Sequence, residues 1–226
     1  MRQYGLIPKL LWLTLFSIAM AYVESAVVVY LRAIYYPEGF IFPLKLITDY
    51  KITVEVFREV ATIIMLLTVA HLAGRNFQER FACLMLTFGV WDIFYYVWLK
   101  ILLDWPASVF DWDILFLIPL PWIGPVIAPV SISVLMIISG ILLARLSDKE
   151  TAFRPKLLPL LLALAGTVLV LYSFMCDTGA MLHGQMPKPY RYDLLIIGDI
   201  LLLTAFLVSY MKILKISGQK VRGGEI

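Results

Sequence analysis

Residues Leu157–Met175 run without a single charged side chain, and Leu10–Val23 and Ile63–Ala70 do the same over shorter stretches. At about 1.5 Å of rise per residue, roughly 20 apolar residues in a helix cross the hydrocarbon core of a bilayer. A water-soluble fold of 226 residues has no interior large enough to hide several such runs. Composition agrees: 62% of the chain is hydrophobic and 15% charged, against about 45–50% and about a quarter in ordinary soluble domains. Soluble enzyme, disordered tail, collagen and disulfide scaffold are excluded. The chain reads as a polytopic membrane protein.

Six stretches qualify as spans, at about 8–31, 55–74, 81–103, 125–146, 157–176 and 194–216. The expected fold is therefore all-α: a bundle of six transmembrane helices forming a single domain over 1–226. Tyr35–Gly39 breaks the chain after the first span, Gly74-Arg75-Asn76 makes a tight turn after the second, and Asp104-Trp105-Pro106 stops the third. Asp113–Leu146 is too long for one helix and too short for two. Prolines 119, 121, 125 and 129 deny helical hydrogen bonds in its first half. The segment at about 107–124 is accordingly expected to be interfacial or re-entrant. A crossing there would swap the side of every later loop.

Charge bias orients the six-span arrangement. With the amino terminus in the cytoplasm, twelve of the 19 lysines and arginines fall on the cytoplasmic side, most densely in the loop at 145–156 and in the tail. Both termini are thus expected inside. The first span runs past Glu24 to Tyr30, longer than the apolar region of a signal peptide, so it reads as a retained helix. The sole asparagine, Asn76, lies in no glycosylation motif, consistent with a bacterial inner (plasma) membrane. A net charge of +3 is too small for a nucleic-acid surface. The basic tail with Lys212, Lys215, Lys220 and Arg222 suits anionic headgroups, so membrane lipids are expected partners.

Twelve of the 16 acids fall outside or in the outer halves of spans. Glu24, Glu59 and Asp199 lie below the outer helix ends, and Asp92 lies near the middle of the third span. A carboxylate at such depth costs at least about 2.5 kcal/mol unless partnered, so these side chains should face the bundle interior. Arg58 stands at the same depth, within reach of Glu24 or Asp199 on another helix. Its neighbour Glu59 points about 100° away and should serve a different contact. Glu55, Glu59 and Thr62 share one face of the second span, and Asp92, Tyr96 and Lys100 share one face of the third, with Tyr95 alongside. Glu24, Arg58, Glu59, Asp92, Tyr95, Tyr96 and Asp199 are therefore expected to form a polar pocket opening outward. The competing reading makes the same ion pairs simple locks between helices. Trp91, Trp98 and Trp105 recur every seven residues, which suits interfacial anchors and, alternatively, an aromatic wall around a cation.

Familiar catalytic and metal patterns are missing. His71 and His183 fall at opposite ends of the bundle, which disfavours paired haem ligation. No HExxH, CxxC or Glu-x-x-His motif occurs, so no cofactor and no metal centre is expected. A carboxylate-only cation site from Glu24, Glu59 and Asp92 is a minor alternative. Cys83 and Cys176 fall on opposite sides and cannot pair. Three functions remain: binding or transport of a small molecule or ion, a non-catalytic subunit assembled with other membrane proteins, and an intramembrane lipid-modifying enzyme with a carboxylate as acid or base. The first leads, and an enzyme is disfavoured because no nucleophile motif is present.

Overall fold

The computed structural model describes residues 5–44, 50–147 and 156–222. The chain is mostly helical. Helix α1 (Leu6–Tyr35) is followed by α2 (Lys51–Ala73) and α3 (Phe77–Leu103). Strands β1 (Trp112–Phe116) and β2 (Trp122–Pro125) precede α4 (Ile127–Ser147), α5 (Leu157–Met175), the short α6 (Thr178–Leu182) and α7 (Tyr192–Arg222). Five helices are long and apolar enough to cross a membrane: α1, α3, α4, α5 with its run into α6, and α7. The stretch expected as a span at 55–74 lies in the 23-residue α2, which is not among these five. It carries Glu55, Arg58 and Glu59 within its first three turns.

Helix ends follow local chemistry. Asn76 caps α3 by accepting the Glu79 backbone N–H at 2.9 Å, and Asp104 closes the same helix in the left-handed conformation, at φ 52°. Pro129 falls in the first turn of α4, where its missing N–H costs nothing. The large apolar side chains of α5 and α7, such as Leu160, Leu164, Ile196 and Ile200, are exposed. Only lipid makes such faces tolerable, and the protein is membrane-embedded.

Helix α3 is the hub, packing on α1, α2 and α4, while α5 and α7 pack together and join the rest chiefly through α4 and β2. Leu13, Ala70, Cys83, Leu86 and Val90 fill the space between the first three helices. Ala128, Val170, Phe174 and Leu195 do so between α4, α5 and α7. The α3–α4 seam depends on small residues. A Cβ on Gly89 would stand 2.6 Å from the Ser133 carbonyl oxygen, and one on Gly140 would stand 2.8 Å from the Ala82 oxygen and 2.9 Å from the Leu86 nitrogen.

The proline-rich segment departs from an all-helical architecture. It forms an antiparallel hairpin pairing Trp112 with Pro125, Asp113 with Gly124 and Ile114 with Ile123, with an irregularity before Phe116. Prolines that forbid a helix leave extended backbone as the way to pair its amides.

The seam yields a direct test. Gly140→Ala should destabilise the purified protein by about 1–3 kcal/mol in detergent, because the atoms it meets are backbone and cannot turn aside. Gly179→Ala, with nothing within 4 Å, should leave the unfolding midpoint unchanged. Equal midpoints for the two variants would refute the tight seam.

Candidate functional site

Helices α1, α2 and α3 and the hairpin line a cavity of about 120 Å³, room for roughly four waters. Its lining includes Glu24, Arg58, Glu59, Asp92, Tyr95 and Tyr96. Asp199, the seventh residue expected there, lies elsewhere: its carboxylate accepts from Ser131 Oγ at 3.0 Å, joining α7 to α4. Lys100 also stays apart, bonded to Asp104 at 2.7 Å at the surface.

Glu55, Arg58, Glu59 and Thr62 follow helical spacing and share one face of α2, which is why they act together. Arg58 forms an ion pair with Glu24 of α1, and its Nε donates to Glu55 at 2.7 Å. Thr62 Oγ1 donates to the other Glu24 oxygen at 3.1 Å. Glu59 has a separate task. Its carboxylate accepts the Leu117 backbone N–H at 2.9 and 3.1 Å, pinning the end of β1 to α2. Asp92 on α3 accepts from Ser133 Oγ of α4 at 2.8 Å, a neutral partner.

A second tier lies two turns further along α1. Arg32 Nη2 donates to Asp113 Oδ1 at 3.1 Å. The Phe40 and Trp105 rings both lie against the guanidinium, each centroid 3.8 Å from its central carbon, and meet each other edge-on at 5.7 Å. Tyr96 lies against Asp113, and its ring meets that of Tyr95 at 5.0 Å. Trp105 is thus part of the cavity's upper clamp, while Trp98 ties α3 to α1 by donating to the Ile18 carbonyl at 3.1 Å.

Arg32, Glu55 and Asp113 complete the charged lining but were outside the expected set. Arg32 and Glu55 carry helical signals, being on the faces of Glu24 and Glu59. Asp113 had one sequence cue, a lone acid inside the apolar run Trp112–Leu117. Phe40 had none, since its approach depends on the path of the chain after α1. Among the described residues no group of three His, Cys, Asp or Glu side chains is placed to hold a metal ion. Glu24, Glu59 and Asp92 are directed to Arg58, Leu117 and Ser133 instead. Comparison with protein-family models, curated proteins and solved structures gives no match.

Burial pushes the Asp113 carboxyl up from 3.8 to about 6, outweighing the attraction of Arg32. A carboxyl whose folded value is raised binds its proton more readily in the folded state. Its contribution to stability therefore increases as pH falls through about 6 and levels off below about 3.8. Subtracting the unfolding midpoint of Asp113→Asn from that of the unaltered protein across this window isolates the group. The difference should grow in favour of the unaltered protein toward acid; a flat or opposite trend would contradict the assignment.

Proposed function

We propose that this is a ligand-binding membrane protein of the carrier or receptor type, whose pocket takes a small organic cation. Charge imbalance carries this reading: the lining sets two arginines against five carboxylates. Arg58 is shared by Glu24 and Glu55, and Arg32 is engaged by Asp113. Among the described residues Asp92, fifteen residues into α3, has only a hydroxyl, and Glu59 only a backbone amide. Neutral partners leave a buried negative charge uncompensated, and a bound cation supplies the compensation. The Trp91, Tyr95 and Tyr96 rings on the same wall favour an alkylammonium over a bare metal ion. In this reading α2 is the sixth span, both termini are cytoplasmic and the pocket opens to the other side, as the lysine and arginine distribution supports.

Two experiments bear on it. Pentylammonium should bind the purified protein by calorimetry, and Asp92→Asn, which keeps side-chain shape, should weaken that binding roughly tenfold or more. Glu59→Gln should act in the same direction. Absence of binding, or unchanged affinity in both variants, would overturn the cation site. For the orientation, Cys176 is exposed and Cys83 buried. A membrane-impermeant maleimide should modify Cys176 in intact spheroplasts; modification only after lysis would reverse the topology.

A further inference from the structure

The upper tier of the cavity is incompletely bonded. Arg32 is 7% exposed and Asp113 1%, yet they share one hydrogen bond, from Nη2 to Oδ1. Among the described residues Arg32 Nε and Nη1 have no hydrogen-bond partner, and Asp113 Oδ2 makes none of normal geometry, although the Tyr96 hydroxyl and the Ile114 amide stand close to that carboxylate. The two aromatic rings that lie against the guanidinium carry π faces and offer its free N–H groups no hydrogen-bond partner. A buried pair therefore presents charged donors and a carboxylate acceptor side by side. A simple anion there would meet the charge of Asp113, and a simple cation that of Arg32. A group carrying both an ammonium and a carboxylate on one carbon answers both.

The lower tier asks for something else. Asp92 and Glu59 line the same cavity and, among the described residues, face no cation of their own beyond the shared Arg58. Arg32 follows Glu24 by eight residues, about 12 Å along the helix axis, so the tiers lie one above the other. Val28 and Leu31, between them on α1, line the cavity and offer an apolar path for a methylene chain.

We propose that the cavity is a site for a cationic α-amino acid, its carboxylate on Arg32, its α-ammonium on Asp113 and its side-chain cation directed at Asp92 and Glu59. This rests on the cation reading above and adds the second, zwitterionic end.

L-lysine and two of its fragments separate the claims. Pentylammonium keeps the side-chain cation without the α-carboxylate, and L-norleucine keeps the zwitterion without the cation. In calorimetry on the purified full-length protein, lysine should bind roughly tenfold tighter than either fragment. In Arg32→Gln the preference for lysine over pentylammonium should shrink to about threefold or less, with pentylammonium affinity retained. Arg32→Lys keeps the charge and provides a milder second variant, in which the preference should be intermediate. Asp92→Asn should weaken lysine and pentylammonium together and spare norleucine. Each readout is a ratio between ligands in one variant, so a general loss of folding, which weakens all three, does not imitate it. Lysine binding no tighter than pentylammonium would mean that water completes the upper tier, overturning this inference and leaving the cation site intact. If pentylammonium does not bind, or if norleucine matches lysine, the cation reading fails and this one with it.

Discussion

Inside hydrocarbon there is no water to satisfy a backbone amide or a charge, so each must find its partner within the protein. That constraint decides where this chain leaves the helix. The hairpin lies against α1, α2 and α5 and puts its side chains and backbone to use: Leu117 N–H on Glu59, Asp113 on Arg32, and the Pro121 carbonyl on Thr178 Oγ1 at 2.8 Å. Lipid-facing helices tolerate no such irregularity, and the exposed faces of α5 and α7 are plain apolar surfaces.

Charges at the two ends of the bundle are handled differently. At the amino-terminal end of α3, Glu79 is bonded by Lys9 and by the Arg75 side chain, and the Arg75 backbone N–H adds a third contact at 2.8 Å. One acid faces two bases, which suits a lock between α1 and α3. At the hairpin end the proportion is reversed, with carboxylates outnumbering arginines around open space. A lock needs every carboxylate met by a base and no open volume; at the hairpin end Asp92 and Glu59 are met by a hydroxyl and an amide, beside a cavity.

The helices were largely legible in the sequence. Expected limits such as 81–103 and 157–176 fall within a few residues of Phe77–Leu103 and Leu157–Met175, because unbroken apolar runs and Asn, Asp and Gly at their ends act locally. Counting residues from a helix end matched Arg58 with Glu24, and the two are paired. Rotation about each helix axis was not legible. Residue counting groups Asp199 with Glu24, but its carboxylate is bonded to Ser131 of α4 and does not line the cavity. Arg58 could be matched to Glu24 by height, whereas its second partner, Glu55, came from its own helix. The hairpin was hardest to foresee. Proline positions excluded a helix, but the pairing of Asp113 with Arg32, 81 residues away, depends on a turn whose register is set by tertiary contacts.

The hairpin also acts mechanically. On one side it is fastened to α1 by Arg32 and to α2 by Glu59. On the other, the Trp122 ring stacks on Phe174 of α5 at 6.0 Å, and Trp112 meets Tyr190 edge-on at 5.9 Å. It is a tie bar between two groups of helices that otherwise join chiefly through α4. Two short strands cannot stretch. A sliding of the α5–α7 pair against the other helices would therefore load the wall of the cavity directly, and widening the cavity would push back on that pair through the same strut.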